Sequence, residues 1–280
     1  MSAPRPENKL FLLDAYALIY RAHFAFSKNP RITSTGLSTG AALGFTNTLI
    51  EVLTKEQPSH IGIAFDTPVK TFRHTEFEAY KAQRQAQPED ITLMVPYICR
   101  IIEALNIPIL KVDGYEADDV IGTLAWKAAE EGFEVFMMTS DKDYCQLVRP
   151  HVYLYKPAFM GNAIDILDVQ KVLEKWEIER IDQVTDILGL QGDAVDNIPG
   201  IPGIGEKTAK SLIRQFGSVE NLIANADQLK GKQKENVINF AQQGLLSKRL
   251  ATIHTEVPIE FNAEKLHYDG PNEEELKQVF

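Results

Sequence analysis

A chain of 280 residues that is 44% hydrophobic can bury a large core in one or two domains. Its formal net charge of -10 argues against a simple basic nucleic-acid coat or a membrane-surface protein, although acids gathered to hold cations would be offset by bound metal. The two cysteines, Cys99 and Cys145, have no metal-ligand spacing or disulfide framework, and no signal peptide or membrane-length apolar run is present. The cytoplasm is the expected compartment.

Lys9 to Asp14 (KLFLLD) reads as a short buried strand that stops at an aspartate. The aromatic segment Tyr16 to Phe26 carries Arg21 and His23, and Ser27 to Thr39 reads as loop. Apolar spacing at Ala42, Phe45, Leu49, Val52 and Leu53 predicts a helix from Gly40 that ends before Pro58. Ser59 to Asp66 (SHIGIAFD) is a second buried strand, again ending on an aspartate.

Pro68 to Asp90 has no stable apolar face. It mixes Lys70, Arg73, His74, Lys81 and Arg84 with Phe72, Phe77 and Tyr80, and so long a stretch without a core is usually functional or mobile. Helical periodicity returns over Ile91 to Leu105, and Ile107 to Val112 is a third strand. The acidic run Asp113-Gly-Tyr-Glu-Ala-Asp-Asp-Val120 then opens a helix with the apolar stripe Val120, Ile121, Leu124, Ala125 and Ala128. Acids suit the positive end of a helix, but three of them (Glu116, Asp118, Asp119) exceed what capping needs.

Glu134 to Asp141 (EVFMMTSD) is a fourth strand, followed at once by Lys142 and Asp143. Val152 to Lys156 is expected as an edge strand and Asp168 to Trp176 as a short helix. Strands alternating with helices predict an α/β fold with a mostly parallel sheet covered on both faces. Beyond residue 178 only helices are expected, interrupted by a turn-rich passage from Gly189 to Gly205. The final segment, Pro271 to Phe280, starts a helix and stops, like the cut edge of a longer chain.

In parallel sheets ligands sit beyond the carboxyl ends of the strands, where Asp14, Asp66, Glu116 and Asp141 all fall. Four strands delivering acids to one edge are a liability unless cations neutralise them. With Asp118, Asp119, Asp143, Asp193 and Asp196 they form a candidate set for hard divalent ions such as Mg²⁺ or Mn²⁺. Two such ions can brace the attacking and leaving oxygens of a phosphoryl displacement. Asp119 equally fits a helix-starting acid.

The run Gly200-Ile-Pro-Gly-Ile-Gly-Glu-Lys-Thr-Ala209 is a second signal. Gly203 and Gly205 permit a tight hairpin, and the helix that follows offers backbone N–H groups to a phosphate, with Thr208 in its first turn and Lys207 and Lys210 adding charge. The spacing is not that of a P-loop. Arg21, Arg73, Tyr80, Lys81 and Arg84 are further candidate nucleic-acid contacts, Lys81 and Arg84 being placed to act as transition-state electrophiles over the acids. Lys230, Lys232 and Lys234 read as a solvated basic run, and Cys145 as a small buried residue.

The segments FLLDAYALIYRAHFAF, FRHTEFEAYKAQR, GYEADDVIGTLA, TSDKDYCQLV and GDAVDNIPGIPGIGEKTA, in this order, resemble the 5′ nuclease domain of bacterial DNA polymerases of the flap endonuclease family. The resemblance implies a PIN-like nuclease core over residues 1–177, with a flexible arch at about 68–90. It also implies a helical DNA-binding region over 178–280, with a helix–hairpin–helix at about 186–217. It further implies a 5′–3′ exonuclease and flap endonuclease acting on DNA with a 5′ flap, a nick or an RNA primer, followed by proofreading-like and polymerase domains.

Asp14, Asp66, Glu116 and Asp118 would then bind a first metal, with Asp119 close by; Asp141, Asp143 and Asp196 would bind a second, supported by Asp193. Lys81 and Arg84 match the family's arch pair, and the segment Gly200 to Lys207 its duplex-gripping hairpin, which can hold K⁺ through carbonyls. Gln85 departs from the pattern, where a proline is expected. Two other classes fit parts of the chain: a Toprim-like or phosphatase-type hydrolase through Asp141-Lys-Asp143, and a non-catalytic DNA-binding module through the hairpin alone.

Overall fold

In the computed structural model, residues 8–158 and 163–279 are described. Six strands form one sheet: β1 Lys9–Asp14, β2 His60–Ala64, β3 Ile109–Leu110, β4 Glu134–Met138, β5 Val152–Lys156 and β6 Asp165–Leu167. They lie in the order β3-β2-β1-β4-β5-β6 and run parallel except for the β5–β6 pair.

Side chains alternate across a strand, so β1 feeds two cores at once. Leu10 and Leu12 enter one apolar cluster, and Phe11 and Leu13 the other. All four are fully buried, each worth roughly 1.5–3 kcal/mol of transfer from water. The helices of this half are α1 Ala15–Phe26, α2 Gly40–Glu51, α3 Phe72–Glu76, α4 Glu89–Ala104 and α5 Ala117–Glu130. Leu18 and Ile19 of α1, Phe45 and Leu49 of α2 and Met94 and Ile98 of α4 cover one face of the sheet. Val120, Ile121 and Leu124 of α5 cover the other.

The remaining helices are α6 Val169–Trp176, α7 Gln183–Gln191, α8 Glu206–Phe216, α9 Val219–Ala224, α10 Gly231–Asn239, α11 Ala241–Ala251, α12 Ala263–Leu266 and α13 Glu273–Val279. Val184, Ile187, Leu212, Ile213 and Leu250 continue the apolar cluster beneath α5, which fixes the helical half against the sheet. Gly189 lets α7 and α11 meet closely, since a Cβ there would lie 2.8 Å from the Lys248 Cα. Among the described residues no helix is long and apolar enough to cross a membrane.

The mostly parallel, doubly covered sheet is the architecture that the alternation of strands and helices predicts. Three expectations are corrected. β5 is not an edge strand: it lies between β4 and the antiparallel β6, whose three residues are too few to show an alternating pattern. The third strand pairs only through Ile109 and Leu110. The passage from Pro68 to Asp90 is not without packed residues, because it contains α3, and Arg73 and Tyr80 are only 1% and 3% exposed. Both are polar side chains whose burial depends on partners from elsewhere in the chain, so periodicity does not reveal them.

Candidate active site

Chain order reverses between β1 and β4, and the carboxyl ends of the strands diverge there into a crevice. An open cleft of about 1720 Å³ occupies it. Asp14, Asp66, Glu116, Asp118, Asp141, Asp143, Asp193 and Asp196 all line this cleft, drawn from three strand ends, the start of α5 and the loop after α7.

Local backbone demands hold several of these acids in place. Asp14 ends β1 and caps α1, its Oδ1 accepting from the Ala17 N–H at 3.1 Å. Its other oxygen accepts from the Thr139 and Tyr144 hydroxyls at 3.1 and 3.2 Å. Asp66, just past β2, accepts the free N–H of Ala117 at the start of α5 at 2.8 Å, tying a strand end to a helix end. Asp141 accepts from the Asp143 N–H at 2.9 Å, and Asp193 from the N–H groups of Val195 and Asp196 at 2.6 and 3.3 Å.

Burial and crowding make Asp14, Asp118, Asp141 and Asp143 reluctant to ionise. Burial and the neighbouring Asp66 raise Asp14 to about 7, against the opposing Ala17 and Thr139 hydrogen bonds. Burial, then the charges of Asp141 and Asp193, raise Asp143 to about 8. Asp118 is pushed well above the ordinary carboxylate range by burial and by Asp119 and Glu116. Asp141 reaches water but sits deep in the concave cleft, and desolvation raises it despite the Asp143 N–H.

Two cations of the 79–84 segment face these acids, and Lys142 Nζ lies 3.7 Å from Asp193. Lys81 Nζ lies 2.6 Å from Glu116 Oε2 and 3.7 Å from Asp196 Oδ2, and Arg84 pairs with Asp196. Burial alone would lower the Lys81 pKa, but Glu116 and Asp196 outweigh it and keep the ammonium charged. Lys81 adopts a left-handed backbone (φ 56°), and its N–H donates to the Asp196 carbonyl at 2.9 Å. Asn197, also left-handed, donates to the Ala79 carbonyl at 2.7 Å. Residues 79–84 are thereby fastened across the cleft to the loop of residues 193–197.

The acids carry only oxygen donors, which suits hard divalent ions. Asp143 Oδ1 is buried with no hydrogen-bond partner among the described residues, an orphaned acceptor that a cation or its water would satisfy. As they stand, no three of the described acidic, histidine or cysteine side chains form a ready cage. The fit is to ions that keep part of their water shell, as Mg²⁺ does.

Three of the expected site residues lie elsewhere than predicted. Asp119 does not line the cleft: it is fully buried, with both oxygens bound to the Arg73 guanidinium at 2.8 and 2.9 Å. Arg73 is for the same reason no surface contact for a polyanion. Tyr80 is buried, and its hydroxyl donates toward Glu116 and Asp196 at 3.2 and 3.3 Å, so its ring is not exposed for stacking on a base. Arg21, on α1, does line the cleft.

The second predicted site forms between α7 and α8. Gly200 is left-handed (φ 62°), and a Cβ on it would meet the Gly192 nitrogen at 2.5 Å. Gly203 is left-handed as well, whereas Gly205 (φ −94°) is the residue that caps α8. Lys207 is exposed in the first turn of α8 with Thr208 beside it. Lys210 is engaged by Glu206 at 2.9 Å and by the Lys175 carbonyl at 3.2 Å. Sequence reasoning missed Thr139 and Tyr144, which hold Asp14, and Lys156, which lines the cleft. Tyr144 directly follows the Asp141-Lys-Asp143 run, a usable signal; Thr139 and Lys156 have none.

Comparison with known proteins identifies the family. The family described as 5′-3′ exonuclease, N-terminal resolvase-like domain matches residues 9–177, and that described as 5′-3′ exonuclease, C-terminal SAM fold matches residues 180–274. The DNA polymerase I of Bacillus caldotenax is 41% identical over 278 residues, 98% of this chain and 31% of that protein. This chain thus spans about a third of the length of such relatives. The 5′-3′ exonuclease of Aquifex aeolicus is 36% identical over 269 residues, 96% of this chain and 90% of that protein.

Among solved structures, the T5 D15 protein co-crystallised with metal ions superposes with a TM-score of 0.70 at 21% identity, covering 88% of this chain and 90% of that one. The catalytic core of Rad2 in complex with DNA substrate gives 0.64 at 15%, covering 98% and 86%. At these identities the likeness is one of fold. The two family matches and the Aquifex relative go further: this chain belongs to the 5′–3′ exonuclease family.

Proposed function

We propose that the chain is a divalent-metal-dependent 5′–3′ exonuclease and 5′ flap endonuclease that hydrolyses phosphodiesters of DNA and of RNA primers in the bacterial cytoplasm. The observation that carries this reading is the convergence of eight of the nine expected site carboxylates on one cleft, faced by Lys81 and Arg84. The likeness to the T5 D15 flap endonuclease, solved with DNA and metal ions, and to the Rad2 catalytic core, solved with DNA substrate, supports it. The identity to DNA polymerase I supports a further reading, that the chain acts as the nuclease part of such a polymerase.

Asp14, Asp66, Glu116 and Asp118 would hold one ion through its water shell, and Asp141, Asp143, Asp193 and Asp196 a second, Mg²⁺ or Mn²⁺ being the ions that suit all-oxygen donors. Such ions supply a nucleophilic hydroxide at neutral pH and neutralise the developing phosphorane charge. The chain's own residues do the rest. Lys81 and Arg84 present positive charge to the scissile phosphate once it replaces their carboxylate partners. Thr139 and Tyr144 fix the Asp14 carboxylate from below. The backbone N–H groups around Gly205 and Lys207 would hold the duplex by its phosphates without reading sequence. Hairpin carbonyls of Gly200, Ile201 and Pro202 already accept from Gln243, Ile204 and Asn236, so a potassium ion there would use their second lone pairs.

Replacing Asp141 and Asp143 together by Asn should abolish cleavage of a labelled 5′ flap in Mg²⁺ while the variant still binds that DNA. Full activity of the double variant would sink the assignment. Assays beside single-stranded and intact duplex DNA separate this reading from the alternatives. A Toprim-like or phosphatase-type site does not need Asp14 and Asp66, and a non-catalytic module would cut nothing.

A further inference from the structure

The cleft residues do not account for a fully buried and fully hydrogen-bonded ion pair, Arg73–Asp119. Asp119 Oδ1 accepts from Arg73 Nη2 at 2.8 Å and from the His254 N–H at 2.7 Å. Its Oδ2 accepts from Arg73 Nη1 at 2.9 Å and from the Glu116 N–H at 3.1 Å. The guanidinium is spent as fully: Nε donates to the Leu250 carbonyl at 3.0 Å and Nη2 to that of Thr252 at 2.9 Å. Phe72 lies against the guanidinium, its ring 4.6 Å away. Neither side chain reaches the cleft, the side chains being 2% and 0% exposed.

A buried ion pair rarely adds net stability over a well-packed apolar substitute, so its presence asks for another reason. The partners name one. Through two side chains, the pair joins the root of the 72–84 segment, the first turn of α5 and the chain leaving α11. Glu116 receives it directly, since Asp119 takes the backbone N–H of the residue whose carboxylate meets Lys81 at the cleft. Asp119 sits at the third position of α5 and Glu116 at its cap, so the first turn that also carries Asp118 is fixed from behind.

We infer that Arg73 and Asp119 are positioning residues for the metal-binding acids: acting through the Glu116 N–H, the pair sets where the Glu116 and Asp118 carboxylates stand in the cleft. They touch neither DNA nor metal. The inference rests on the metal-dependent reading above. It replaces a DNA contact at position 73 and a metal ligand at position 119 with one buried clamp.

The test uses Asp119→Asn, Arg73→Gln and Arg73→Lys. Four quantities are read: Mn²⁺ affinity by titration calorimetry without DNA, flap-DNA affinity in EDTA, kcat with KM at increasing Mg²⁺, and the melting temperature. Removal of a partner that orients a metal-binding side chain typically costs about 10–100-fold in metal affinity or activity. Asp119→Asn and Arg73→Gln should lose Mn²⁺ affinity and kcat in that range, keep flap-DNA affinity and KM, and recover kcat at high Mg²⁺. Arg73→Lys keeps the buried charge without the two-pronged fork and should fall between them and the wild type.

If Arg73→Gln weakens flap binding while Mn²⁺ affinity is unchanged, Arg73 is a DNA contact and the inference fails. It fails equally if Asp119→Asn binds Mn²⁺ like the wild type. Should the neutral variants melt below the assay temperature, Arg73→Lys decides: wild-type Mn²⁺ affinity overturns the clamp, and reduced affinity with unchanged DNA binding upholds it. A wild type that neither binds Mn²⁺ nor cuts flaps would overturn the functional reading instead.

Discussion

The raised carboxylates of Asp14 and Asp143 make a prediction with a definite sign. An aspartate whose folded pKa exceeds its ordinary value of 3.8 binds its proton more tightly when folded, so ionising it opposes folding. That opposition is absent below about 4, grows as pH rises, and is complete only above about 7 for Asp14 and about 8 for Asp143. The metal-free protein should therefore lose melting temperature between pH 5 and pH 8 in EDTA. Divalent ions must displace those protons, so their stabilising effect should be larger at pH 8 than at pH 5. Asp143→Asn removes one of the two groups and should flatten the EDTA profile. A profile as steep in that variant as in the wild type would put the pH dependence elsewhere.

At the scale of elements, the hairpin between α7 and α8 separates two glycines that look alike in sequence. Gly200 is left-handed and its backbone packs on Gly192, where a Cβ would come within 2.5 Å of the nitrogen. Gly205 has an ordinary φ and open space around it. Gly200→Ala should cost about 1–3 kcal/mol, the range for strained backbone, and weaken flap-DNA binding. Gly205→Ala should cost less than about 1 kcal/mol, a helix-cap effect. Urea unfolding with DNA binding on both variants checks this; equal costs would mean that the loop absorbs the clash.

The same contrast says what was legible beforehand. Acids at strand ends, the Gly-Pro hairpin and the strand–helix alternation are local patterns, and each is where sequence reasoning puts it. The burial of Arg73 and Tyr80 is not legible locally because it depends on partners 36 to 179 residues away in sequence, whereas Asp119 takes the helix-starting place that its position also allows. The short β6 pairs with a strand whose neighbours no periodicity specifies.

For the molecule as a whole, a net charge of -10 has to be reconciled with the polyanionic substrate proposed above. Of the cations lining the cleft, Lys81 and Arg84 are paired with its acids and Lys142 lies 3.7 Å from Asp193, while Lys210 of α8 is paired with Glu206. Without metal, the ionised acids would repel phosphate from the cleft, and binding would rest more on exposed cations of the hairpin such as Lys207. Divalent ions held by the acids would cancel that repulsion and compete with Lys81 and Arg84 for their carboxylate partners. Calcium, a hard oxygen-seeking ion, should therefore tighten flap-DNA binding well beyond what an equal ionic strength of KCl does, since salt alone weakens phosphate contacts. The gain should shrink in the Asp141→Asn/Asp143→Asn variant, whose cleft lacks two of the carboxylates that divalent ions would engage. Fluorescence anisotropy on labelled flap DNA in EDTA, KCl and CaCl₂ reads all of these. An affinity that falls equally in CaCl₂ and KCl would mean that the DNA is held by the hairpin alone, with the acidic cleft playing no part in binding.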